Sequence, residues 1–87
     1  MPIVWVPPLM RDLTGGIPWV EVSGRSVREV VDELERRYPG VRARLCEGER
    51  LAPGLAVAVD GRMSRLGMFA PVEERSEVRF LPAVEGG

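Results

Sequence analysis

The residues with the clearest chemical potential stand at the end of the chain, Leu81-Pro82-Ala83-Val84-Glu85-Gly86-Gly87. Gly86 and Gly87 bring no side chain. What they offer is a bare C-terminal carboxylate on a thin thread that enzyme backbone can approach from both sides. Pro82 fixes one φ angle and lowers the entropy lost when the thread enters a partner. From Pro82 to Gly87 an extended thread reaches roughly 20 Å at ~3.3 Å per residue. The apolar, proline-stiffened lead argues against a merely frayed end. Other reactive side chains are few. Cys46 is the single cysteine and histidine is absent. Nothing is therefore at hand to activate the thiol, and a histidine-based triad, a structural zinc site and an internal disulfide are all disfavoured. We expect Cys46 to be a small packing residue. All 12 basic residues are arginine. Without lysine the chain carries no side-chain amine, although a GC-rich genome would leave the same absence.

Composition narrows the class. The 87 residues suffice for one modest core. A net charge of −1 disfavours a nucleic-acid binder, which normally carries a clear basic excess. No apolar run approaches the ~18 residues of a membrane span, so no membrane role is expected. Met1-Pro2 leads straight into strand-like sequence with no signal-peptide pattern. A lone cysteine suits a reducing compartment, and a cytoplasmic location is expected.

The elements that must position the thread follow from periodicity. Ile3-Val4-Trp5-Val6 predicts a strand, and Pro7-Pro8 then forces it to continue irregularly or at a sheet edge. Thr14-Gly15-Gly16 is a turn signal, and Trp19-Val20-Glu21-Val22 predicts the second arm of a hairpin. Ser26-Val27-Arg28-Glu29 has capping-box spacing, with Glu29 reaching back to the cap. Val27, Val30, Val31, Leu34 and Tyr38 follow at helical spacing, and Pro39-Gly40 stops the helix. Val41 to Pro53 is polar and ambiguous, with a short helical turn open for Val41, Leu45 and Cys46. Leu55-Ala56-Val57-Ala58-Val59 predicts a strand, and Asp60-Gly61 a tight hairpin turn with a brief return at Arg62-Met63-Ser64. Pro71 to Ser76 is a charged turn region. Glu77 to Leu81 predicts the last strand, ended by Pro82. The expected fold is α+β: a mixed sheet with one main helix packed on one face, spanning residues 1–82, followed by a flexible tail over 83–87.

Strand alternation also assigns faces. Val78 and Phe80 point to the helix, and Arg79 and Leu81 away from it; Val4 and Val6 point inward, and Ile3 and Trp5 outward. The outward Trp5 and Leu81 are expected to form an exposed apolar patch beside the tail.

This ordered set of elements, ending in Phe80-Leu81-Pro82-Ala83-Val84-Glu85-Gly86-Gly87, resembles the β-grasp sulfur carriers, the MoaD/ThiS group of ubiquitin-like proteins. The Val57-Ala58-Val59-Asp60-Gly61 strand and turn are similar to the family's middle hairpin. Thr14-Gly15-Gly16 and the Pro-Ala form of the ending look most like the branch that feeds cysteine biosynthesis. Glu73-Glu74-Arg75-Ser76-Glu77 departs from an Asp-Gly turn common in relatives.

The resemblance implies a carrier and co-substrate rather than an enzyme. An E1-like adenylyltransferase would use ATP to adenylate the carboxylate of Gly87, and sulfur would displace AMP to leave a thiocarboxylate. A second partner would accept the sulfur, either a cysteine synthase-like enzyme or the molybdopterin synthase large subunit. Gly86 and Gly87 would be the reacting end, with Trp5, Leu81, Pro82 and Val84 contacting partners. No cofactor or metal would be held by the carrier itself. Two other classes stay open: a ubiquitin-like modifier joined to target lysines through Gly87, and a β-grasp interaction domain with an inert tail.

Overall fold

The structure, a computed structural model, describes residues 1–83. Its main sheet has five strands in the order β2-β1-β7-β5-β6: β1 (Ile3–Trp5), β2 (Trp19–Glu21), β5 (Leu55–Val59), β6 (Arg62–Met63) and β7 (Glu77–Pro82). β1 and β7 run parallel at the centre, and the other neighbours are antiparallel. Two helices, α1 (Val27–Arg37) and α2 (Val41–Leu45), and a small hairpin of β3 (Cys46–Glu47) with β4 (Arg50–Leu51) complete the regular structure.

One face of the sheet is sealed. Val4, Val20, Val57, Val78 and Phe80 meet Val27, Val30, Val31 and Leu34 of α1 and Val41 and Leu45 of α2 in a single buried cluster. The helical stripe is the one the spacing predicts, with Tyr38 half-buried at the C-cap. Ser26 caps α1 by accepting from the Glu29 N–H at 3.2 Å. The Glu29 carboxylate, however, accepts from the Arg25 N–H at 3.1 Å, one residue before the expected partner. The chain ahead of the cap is extended, with Arg25 O already accepting from Val72 N–H, and this presents the Arg25 amide to the helix.

The structure settles three other expectations in detail. Of the two alternatives after β1, the irregular continuation holds and the edge does not: β1 lies between β2 and β7, and Pro7-Pro8 falls beyond its ladder. There Pro8 opens a 3-10 turn (Pro8–Met10), where a fixed φ and a missing donor cost nothing. Cys46 leaves α2 and begins β3, whose hairpin turns at Gly48 with φ +63°. β7 takes in Pro82 as its last residue, one beyond the expected end: Pro82 stands opposite Leu55, and the next amide, Ala83 N–H, donates to Gly54 O at 2.7 Å. Amides on a strand alternate in direction. The donor that Pro82 lacks would therefore face the β1 side, where that strand's pairing has already stopped at Arg79.

Asp60 and Gly61, at φ +52° and +81°, make the tight turn expected between β5 and β6. The departure at Glu73 to Glu77 is accommodated by a buried Ser76. Its hydroxyl accepts from Glu73 N–H at 2.9 Å and donates to the Asp60 carboxylate at 2.8 Å, while Glu77 N–H donates to the other Asp60 oxygen at 2.9 Å. Among the described residues no helix is long and apolar enough to cross a membrane.

Candidate functional site: the open sheet face and the exit of the thread

Among the described residues no helix covers the second face of the sheet, and register decides what stands on it. Trp19 pairs with Trp5, Trp5 with Arg79, Arg79 with Ala58 and Ala58 with Met63. Residues directly opposite one another share a face. These five side chains therefore form one row across all five strands. Leu81 and Ala56 form the next row toward the thread.

The row centres on a cation. The Arg79 guanidinium sits 5.5 Å from the centre of the Trp5 ring and 5.2 Å from that of Trp19, and Arg11 approaches Trp5 from the loop at 5.5 Å. Arg79 Nε also donates to the Glu77 carboxylate at 2.7 Å. A guanidinium over an indole face is attracted by the ring quadrupole, by about 0.5–1 kcal/mol when exposed. Trp5 and Leu81 share the outward face, as alternation predicts, and both are half-buried. They do not make a bare apolar patch, because Arg79 stands opposite Trp5 and lays its charge on the rings. Trp19, Arg11 and Met63 were missing from the sequence reading, which placed Arg79 on this face without joining it to the rings. Alternation against the buried Val20 would have placed Trp19 on this face; pairing Arg79 with both rings needed the register.

Beside the end of β7 lies a groove of about 400 Å³, lined among others by Leu9, Met10, Arg44, Leu55, Leu81 and Pro82. Leu9 is 88% exposed at its rim. Arg44 fixes the loop that carries it: its guanidinium donates to Leu9 O at 2.8 Å and to both oxygens of Asp12 at 2.6 and 2.8 Å. That pairing holds the Asp12 carboxyl below its ordinary value, with the Arg44 hydrogen bond as the main cause. Pro82 is exposed where the chain leaves the sheet. Val84, Gly86 and Gly87 lie outside the described residues.

Cys46 is half-buried, with Sγ 3.9 Å from Met68 Sδ, and burial pushes its thiol up. A thiol held protonated is a poor nucleophile. Among the described residues no group of three or more Cys, Asp or Glu side chains is placed to hold a metal ion.

The arrangement leaves one sheet face open beside the end of β7, and its fold matches a known set of proteins. A β-sheet grasping one main helix, with the terminal strand at the centre, is the ubiquitin-like β-grasp. The ThiS family pattern matches residues 4–87. The sulfur carrier protein CysO of Mycobacterium tuberculosis is 31% identical over 97% of this chain and 96% of its own length. In the crystal structure of the Amycolatopsis orientalis BexX/CysO complex, one chain superposes with a TM-score of 0.90 at 36% identity, covering 100% of both chains. The crystal structure of Mycobacterium tuberculosis CysO gives 0.87 at 28% identity, over 97% of this chain and 100% of that one. The chain belongs to the ThiS family.

Proposed function

We propose that this protein is a sulfur carrier, a co-substrate rather than a catalyst, whose reacting group is the carboxylate of Gly87. An E1-like adenylyltransferase joins that carboxylate to the AMP moiety of ATP with release of pyrophosphate. A sulfur nucleophile then displaces AMP and leaves the C-terminal thiocarboxylate. A biosynthetic enzyme accepts the sulfur; cysteine synthesis is the favoured destination and molybdopterin assembly the other. ATP belongs to the activating partner, the carrier holds no cofactor of its own, and the setting is the cytoplasm. Trp5, Leu81, Pro82 and Val84 contact the partners while Gly86 and Gly87 enter the enzyme.

One observation carries this reading. The β7 ladder is held through Pro82 and Ala83, immediately before Val84-Glu85-Gly86-Gly87, in a chain whose relatives are named sulfur carriers. The acyl-adenylate must be kept from water, and a side-chain-free terminus on a firm strand suits delivery into a closed site.

Intact-mass spectrometry tests it. Incubation with ATP, a sulfur source and the cognate activating enzyme should replace one terminal oxygen by sulfur. Deleting Gly87 should abolish the exchange and leave the fold intact; exchange that survives the deletion would sink the mechanism. Stable adducts on target lysines would instead mark a protein modifier. No change with a demonstrably active partner would mark an inert tail.

A further inference from the structure

Residues 64–69 lead from the edge strand β6 to the helix side of the sheet. Met68 anchors this segment in the core at 4% exposure. Ser64 N–H donates to Val57 O at 2.9 Å, and Ser64 Oγ accepts from Leu66 N–H at 3.0 Å. Phe69 N–H donates to Leu66 O at 2.9 Å within a 3-10 turn (Gly67–Phe69). Residues three apart in such a turn eclipse one another, so Leu66 and Phe69 stand on one side of it. They remain 59% and 76% exposed. Their backbone is already fixed, so a partner meeting them pays little to order it. Arg62 and Arg65 precede the pair in the chain, are exposed, and join none of the ion pairs among the described residues.

The location matters. Arg62 stands opposite Val59 and Val59 opposite Val78, whereas Pro82 stands opposite Leu55. The corner is thus separated from the thread by the length of β5, about 13 Å at ~3.3 Å per residue. We infer that Arg62, Arg65, Leu66 and Phe69 form a second docking corner for a protein partner that presents carboxylates around a small apolar pocket, engaged while the C-terminal thread is held elsewhere. Unneutralised arginines beside a rigid aromatic anchor call for acidic, apolar complementarity. Two apolar side chains fall far short of the ~800 Å² per subunit of a standard stable interface, which disfavours a second copy of this chain.

The test uses the full chain, labelled with nitrogen-15, and a synthetic peptide of glutamates surrounding a Leu-Phe pair. Amide shifts should concentrate at residues 62–69. Affinity should fall about tenfold or more in Arg62→Glu/Arg65→Glu and in Phe69→Ser, and weaken with added salt. Both variants alter exposed side chains, and unchanged spectra elsewhere will show that they fold. Removing residues 84–87 should leave peptide affinity unchanged, which separates this surface from the carrier reading. Shifts on the Trp5–Arg79 face, or no binding, would overturn the inference. So would binding to phosphatidylserine vesicles in place of the peptide, or a dimer in sedimentation that Phe69→Ser dissolves.

Discussion

Along β7, Val78 and Phe80 are at most 1% exposed, while Glu77, Arg79 and Leu81, the alternate residues of the same strand, stay half-buried on the other face. The helix side is filled with valines and one phenylalanine, and its contacts are interchangeable in kind. The open side carries two tryptophans, an arginine and a methionine in one row, each tied to its neighbours by register. The difference teaches which substitutions change the protein and which change its company. Volume lost on the first face leaves a cavity, whereas charge added to the second meets solvent until a partner arrives.

Phe80→Ala strikes the first face at its largest fully buried side chain. It should cost about 3–5 kcal/mol, read from the midpoint and slope of a urea unfolding curve. A loss under ~1 kcal/mol would mean that this face is not the core. Trp5→Asp or Leu81→Asp strikes the second face. Either should weaken binding of the activating enzyme by ~2 kcal/mol or more in calorimetric titration, with the fold retained. Unfolding of these variants would erase the distinction between the faces.

Asp60→Ala probes the junction that serves both. It removes the acceptor for Ser76 and for the Glu77 amide, and places alanine at φ +52°. We expect ~2 kcal/mol of destabilisation, with Asp60→Asn recovering part of it through its φ tolerance. The smallest effect concerns Asp12 and Arg44 at the groove. Asp12 titrates below its ordinary 3.8, so its contribution is present above that value and is lost as pH falls through the depressed one. Both groups are exposed and the change should be slight. Asp12→Asn should flatten this part of the acid dependence without moving the neutral-pH midpoint far.

Much of this division was legible in the sequence, for physical reasons. Period-two alternation fixed which residues of β1 and β7 share a face, and the Ser26 cap and valine stripe fixed α1. Asp60-Gly61 specified its own turn. Polar, short-range structure was not legible. The β3–β4 hairpin has two residues per strand and little apolar patterning. The Arg25–Glu29 contact depends on how Val72 holds the preceding chain. β7 runs one residue further than expected, taking in Pro82, because proline is excluded only where its missing donor would be used, and that depends on where a neighbouring strand stops. At the site, Trp5 and Leu81 were placed on the correct face. Arg79 was placed there as well, but its pairing with the rings escaped because a cation between aromatics is a property of three strands together, and no single strand announces it.

The central position of β7 also sets how the molecule bears load. In the proposed reaction an enzyme draws in the C-terminus, and a pull along the β7 axis would load that strand. β7 is flanked by β1 over three paired positions and by β5 over five. Their hydrogen bonds run across the pulling direction, so they resist together in shear rather than opening one after another. A terminal strand at the sheet edge, drawn sideways, would peel like a zipper. In this chain the tether can be tugged while the body it belongs to stays whole.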